Sequence, residues 1–372
     1  RGLLNNFRRV TSGYSRTLWT EGRSALPYAT MLGTSFLVIH FVRHADLVPF
    51  IGRWDHEIRK QAITVKKFLT KSLETEHALC FLLCELAMWY AIVSPTCRFD
   101  SWVLELVRSD GSTPVELHPH IREGILRLQA IVREVEANIA EELVCSRSDL
   151  VHMIVCAALE AIGGPRLKFQ IGRRDPPIHQ ENMHAKLLSV LIANLQDCGN
   201  AKSLHTWFPT DVRALRARYH SLCNREMEES VSDSLEVRKV RLLTRKMWTD
   251  QYIVALYGGF RALRQESDGA TRASSFQPFS NRYFSAALEN VTDIKRAGKA
   301  LSKWEQYVPF AKHSSRLRDL DDSLTKDPLS IDAVRLYALD ENYFFESFAC
   351  IFTWLLDRGF NSNELIDVYY KP

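Results

Sequence analysis

Two pairs of histidines lie close in the chain, His118 with His120 around Pro119, and His179 with His184. Neutral imidazole is a common transition-metal ligand, and a helix offers two of them to one ion at a spacing of four. Neither pair has that spacing or a neighbouring cysteine, so both read as solvated or hydrogen-bonded side chains and no metal site is expected. The eight cysteines, Cys80, Cys84, Cys97, Cys145, Cys156, Cys198, Cys223 and Cys350, contain no CxxC pair, which argues against zinc-ribbon and thioredoxin chemistry. Most sit in apolar helical patterns and read as buried free thiols of a reducing compartment. The acidic run Asp319-Leu320-Asp321-Asp322 opens like a calcium loop. It has Leu324 at the sixth position, where glycine is needed, and Ser330 at the twelfth, where glutamate is needed. Glu85 is the only charge between Glu76 and Arg98. Burial among aromatics would raise its pKa, as in a proton carrier; the plainer reading is a core carboxylate met by a nearby Arg or Lys. GxGxxG, GxSxG, HExxH and the phosphate-binding P-loop are absent. The sequence therefore predicts no catalytic residue and no cofactor.

The basic stretch 211–264 is the one candidate for contact with an anionic partner, through Arg213, Arg216, Arg218, Arg241, Arg245 and Lys246. The first three alternate with Val212, Ala214, Leu215 and Ala217, and Tyr219 and Trp248 could stack on bases. Glu226, Glu228, Glu229, Asp233 and Glu236 interrupt the run, as on an ordinary solvated helix face. Tyr257-Gly258-Gly259-Phe260 predicts a close helix approach or bend, not a phosphate cradle. From Asp319 onward there are eleven acids and four bases, whereas the rest of the chain is basic. Such asymmetry predicts distinct partner faces or self-pairing of the two ends.

The elements that would position these residues are almost all helical. The chain has 372 residues, 46% apolar and 25% charged, with a net charge of +4 and a pI of about 8.6. That is the composition of a folded protein, and the basicity is too mild to imply nucleic acid. The expected fold is all-α, a multi-helix body with one N-terminal transmembrane helix. Residues 24–42 hold no charge over 19 positions between Arg23 and Arg43. At 1.5 Å per residue this is close to the minimum that crosses about 30 Å of hydrocarbon. Leu26, Tyr28, Met31, Leu32, Phe36, Leu37, Ile39 and Phe41 would face lipid; an interfacial or buried core helix is the rival reading. Residues 1–23 form a basic arm with five arginines and one acid. That arm, beginning at Arg1 where a start would have Met, reads as an organellar transit remnant or as a basic flank of the membrane helix.

The body divides into a helical region 43–163, a connector 164–182, a basic helical region 183–265, a loop 266–282 and an acidic helical region 283–372. Residues 78–93 read as a fully buried helix rather than a second crossing, because Glu85 breaks the apolar run. Ile121, Ile125, Leu128, Val132, Val135 and Ile139 make a heptad seam, with Glu123 and Arg127 paired outside it. Ser148 or Asp149 opens the next helix, Gly172-Arg173-Arg174 is an exposed basic turn, Thr210 or Asp211 caps a third helix, and Ser330 and Asp340 cap the last two. Together these features predict a non-catalytic accessory subunit of a mitochondrial inner-membrane complex, such as the ATP synthase or a respiratory-chain assembly. It would contact other subunits and membrane lipid. The alternative is an all-helical RNA-binding protein, a viral nucleoprotein or organellar ribosome component, using the helices of 211–264.

Overall fold

The computed structural model describes residues 47–94, 98–108, 112–113, 115–139, 145–176, 181–197, 207–228, 250–267, 278–288, 315–360 and 365–368. Ten α-helices are defined among them: α1 (Leu47–Leu73), α2 (His77–Val93), α3 (Pro119–Ile139), α4 (Arg147–Ala161), α5 (Glu181–Asp197), α6 (Val212–Glu228), α7 (Asp250–Ser267), α8 (Ser315–Lys326), α9 (Pro328–Leu339) and α10 (Glu341–Asp357). A 3-10 turn, Ser101–Leu106, follows α2, and a short helix covers 282–288. The described strands are β1 (Gln170–Ile171) and β2 (Ile366–Asp367), antiparallel with Gln170 opposite Asp367. Contacts group the chain into Arg1–Ile58 and Arg59–Pro372. Of the first unit the structure describes 47–58, the opening turns of α1.

The all-α expectation holds, and the transmembrane part of it gains no support. Among the described residues no helix is long and apolar enough to cross a membrane. The candidate anchor 24–42 and the basic arm before it lie outside the described residues.

The second unit is organised around α2. This helix is apolar on every side, with Cys80, Phe81, Leu83, Cys84 and all of Leu86–Val93 buried. A helix of that kind must be enclosed, and α3, α4, α5, α7 and α10 all pack on it. Glu85 is buried there too and is not without a partner. The last carbonyls of a buried helix also need donors. Asn194 Nδ2 of α5 donates to the Val93 and Ser94 carbonyls at 3.2 Å, and Arg358 Nη2 donates to Ala91 O at 2.8 Å. A cation at a helix C-terminus also suits the dipole.

Local patterns explain the flanking helices. In α3 the seam residues Ile121, Ile125, Leu128, Val132 and Val135 are buried, each burial being worth about 1.5–3 kcal/mol. Glu123 and Arg127 pair outside at 2.8 Å. In α1 the buried stripe is Ala62, Val65, Leu69 and Leu73; Ile63 and Phe68, expected in it, are half-buried. α4 begins earlier than its sequence suggests, because Ser146 accepts from Asp149 N at 3.0 Å and so releases Ser148 and Asp149 for other bonds. Asp211 accepts from Arg213 N at the start of α6. The cap of α9 is Asp327, not Ser330. Pro328 supplies a preset first turn, and Ser330 N donates to the Asp327 carboxylate at 2.9 Å. Asp340 caps α10 by accepting from Tyr343 N, and Gly359, at φ 81°, ends it in the left-handed region that glycine tolerates.

The Gly258-Gly259 pair makes the close approach its sequence predicts. A methyl at Gly258 would overlap the Phe284 ring, and one at Gly259 would overlap the Phe348 ring. Both rings are fully buried in a chain of aromatics running through Phe279, Phe344, Phe348 and Phe352. Gly259 therefore lets α7 lie directly against α10, and Gly258 lets it lie against the short helix 282–288.

Candidate functional site

Three buried or half-buried polar clusters and one exposed apolar stripe hold the groups able to act. The first cluster joins α4, the turn after β1 and the end of α10. Asp149 accepts from the backbone N–H of Gly172 and Arg173 and from the Arg173 guanidinium at 3.2 Å. The same guanidinium donates to Asp357 at 2.5 Å and to the Gln170 carbonyl. His152 lies one turn beyond Asp149. Its Nε2 is 2.8 Å from Phe99 O, and its Nδ1 is 3.6 Å from the Asp357 carboxylate. Burial pushes the imidazole well below its usual pKa, assisted by Arg173 and opposed by hydrogen bonds to the Phe99 and Leu356 carbonyls. The ring is thus held in its neutral form. Burial also raises the Asp149 and Asp357 carboxyls, against the pull of Arg173. Ser148 Oγ donates to Asp175 at 2.8 Å, and Ser101 Oγ donates to the same carboxylate at 2.9 Å. Each member of this cluster is tied to backbone or to a neighbouring charge.

The second cluster is wholly interior. Tyr257 and Tyr283 hydroxyls each donate to Asp321 Oδ1 at 2.7 Å, and Arg261 donates to Oδ2 at 3.1 Å. Burial raises the Asp321 carboxyl, and Arg261 and the two tyrosines oppose it. The same burial raises both tyrosines well above their ordinary value. Both Asp321 carboxylate oxygens are thus engaged within the protein, and no group of three or more His, Cys, Asp or Glu able to hold a metal ion occurs among the described residues. Burial pushes the Cys80 and Cys156 thiols up to about 12, leaving them without thiolate character at neutral pH. His118 and His120 stack on each other at 5.4 Å between ring centres.

The third cluster takes in the basic stretch. Arg213 is exposed on α6. Arg216 is not free for an outside anion: its guanidinium bonds Asp250 at the start of α7, both carboxylate oxygens of Asp327, and Ser330 Oγ. Arg218 donates to the Trp207 carbonyl. Tyr219, expected to stack on a base, is fully buried near Trp354. Arg241, Arg245, Lys246 and Trp248 lie outside the described residues. The turn Gly172-Arg173-Arg174, expected to be exposed, buries Arg173 while Gly172 and Arg174 stay at the surface.

Sequence reasoning did not single out His152, Asp149, Asp357 or the interior use of Asp321. Their partners lie far away in the chain, so nothing next to them in sequence marks them. Asp327 did carry a local mark, since Asp followed by Pro is a cap and first-turn signal.

The exposed apolar side chains are gathered on α9. Leu339 is 87% exposed, Leu329 64% and Leu336 37%; of the described large apolar residues only Ile192, at 39%, joins them. Their spacing of seven and three puts the leucines in one stripe, with Asp332 within it and Arg335 on its edge. The opposite face, Ala333, Val334 and Tyr337, is buried. No protein-family model matches this sequence, and no curated protein matches it either.

Proposed function

We propose that this chain is a non-catalytic accessory subunit of a mitochondrial inner-membrane complex, of the ATP synthase or respiratory-chain kind, anchored by 24–42. The observation that carries the assembly reading is the α9 leucine stripe. Solvent contact at three leucines of one helix is unfavourable, and such a surface marks a contact site. The polar clusters favour the same reading, because their charged groups hold helices together instead of facing a cleft. The compartment and the anchor rest on the arginine-rich, acid-poor residues 1–23 and the uncharged run after them. The RNA-binding alternative is weakened by the interior roles of Arg216, Arg218 and Tyr219.

The test is alkaline carbonate extraction of mitochondria containing the tagged full chain, followed by purification in mild detergent. The expected result is retention in the membrane pellet and stoichiometric co-purification of membrane subunits. Release into the supernatant as a protein without partners would overturn the reading.

A further inference from the structure

We propose that the α9 stripe pairs with the same stripe of a second copy of this chain, the two helices antiparallel across a two-fold axis. The inference rests on the assembly reading and names the partner at this face. A two-fold contact uses one patch twice, so the patch must complement itself when reversed. The α9 stripe does so at its two outer leucines and at its charge pair. Leu329 and Leu339 stand five residues on either side of Val334, and Asp332 and Leu336 stand two on either side. Reversal about Val334 lays Leu329 on the partner's Leu339, and brings Asp332 beside the partner's Leu336 and the partner's Arg335.

The charges obey the same symmetry. Asp332 and Arg335 are 80% and 61% exposed and pair within the helix at 3.2 Å. In the antiparallel arrangement each Arg335 lies between its own Asp332 and the partner's Asp332. A parallel arrangement would set Asp332 beside Asp332 and Arg335 beside Arg335, which like-charge repulsion opposes. A partner of uniform charge would leave one of the two unmatched. The exposed leucine surface is about 300 Å² per chain, so two stripes supply roughly half of the ~1,200 Å² of a small stable interface. Asp332, Arg335 and the half-buried Ile331 and Ala338 flank it. The pairing is accordingly a weak one, strengthened where an assembly holds two copies close together.

Sedimentation velocity on the purified full chain, over roughly 1–100 µM, is expected to show a concentration-dependent monomer–dimer equilibrium. Leu329→Glu/Leu339→Glu should abolish it while circular dichroism stays unchanged, because these are the two most exposed leucines of the stripe. Asp332→Arg should weaken it about tenfold or more, and Asp332→Arg/Arg335→Asp should return it to within about threefold of the parent. A chain monomeric throughout overturns the inference. So does a dimer indifferent to the leucine changes, or a folded charge-swapped variant that stays weak. A monomer that still co-purifies with membrane subunits overturns self-pairing alone. A dimer that leaves the membrane without partners overturns the assembly reading alone.

Discussion

Arg216→Ala removes a guanidinium that ties α6 to the first turns of α7 and α9. Its hydrogen bonds to Asp327 are the main reason that carboxyl is held down to about 2, from an ordinary 3.8. At about 1.36 kcal/mol per pKa unit, this depression sets a ceiling of about 2 kcal/mol on the stability it confers at neutral pH. Solvent screens the half-buried pair, and Ser330 N also bonds the carboxylate while Ser330 Oγ bonds the guanidinium, so roughly 1 kcal/mol falls to Arg216. The unfolded carboxyl protonates near 3.8 and the folded one near 2. The contribution is therefore complete above about pH 5 and disappears as pH falls towards 2. Urea unfolding at pH 7 should find Arg216→Ala less stable by about 1 kcal/mol, and the gap should narrow steadily between pH 5 and pH 2.5. Arg216→Lys should recover less than half, because an ammonium lacks the planar fork that spans two carboxylates. Equal stabilities at pH 7, or a gap of the same size at pH 2.5, would refute the reasoning. The substitution also decides how any loss of anion binding is read, since among the described arginines of α6 Arg213 is the exposed one, and Arg213→Ala alters surface charge without breaking a described contact to another helix.

Two further perturbations probe the core. Gly259→Ala removes a helix-propensity deficit of about 1 kcal/mol but drives a methyl into the enclosed Phe348 ring, at an overpacking cost of about 1–3 kcal/mol. Net destabilisation of up to about 2 kcal/mol is expected in thermal unfolding, and a gain would show that α7 and α10 are not in contact at this point. His152 is held neutral in the fold and protonates near pH 6.5 when unfolded, so the stability it confers is complete above that pH and lost below it. Below pH 6.5 the parent should lose stability more steeply with falling pH than His152→Gln; parallel pH profiles would show that His152 keeps its ordinary pKa.

Much of the fold is legible in the residues because it follows local rules. The α3 seam, the Asp340 cap, the Gly359 stop and the α7 glycine pair are all signalled within a few residues of where they act. The candidate sites are less legible because their geometry is long-range. Arg173 stands in a glycine- and proline-bounded turn that looks solvated, and only α4 and α10 closing over it show that it is interior. Tyr219 looks like a stacking residue on a basic helix, yet its position on α6 faces Trp354. The start of α9 was misplaced for a different reason. Ser330 and Asp327 are both good caps, and the proline between them, which favours the earlier one, decides the matter.

The charge asymmetry admits two explanations in sequence, distinct partner faces or self-pairing of the two ends. The described residues show a third arrangement, in which the acidic end pairs with the middle of the chain at three places. Arg173 meets Asp357, Arg216 meets Asp327, and Arg261 meets Asp321, each an arginine from the basic middle of the chain and an aspartate from its acidic end. Pairs of this kind add little net stability over apolar side chains of similar volume, but breaking one by removing a single partner costs about 3–5 kcal/mol when it is buried. Their effect is thus to penalise wrong helix pairings. A shift of α10 would strand Asp357 without Arg173, and a shift of α8 against α7 would strand Asp321 without Arg261. Three of the eleven C-terminal acids are engaged in this way. Asp332, on the exposed face of α9, pairs only within its own helix among the described contacts, and that leaves it placed to answer a charge on another molecule.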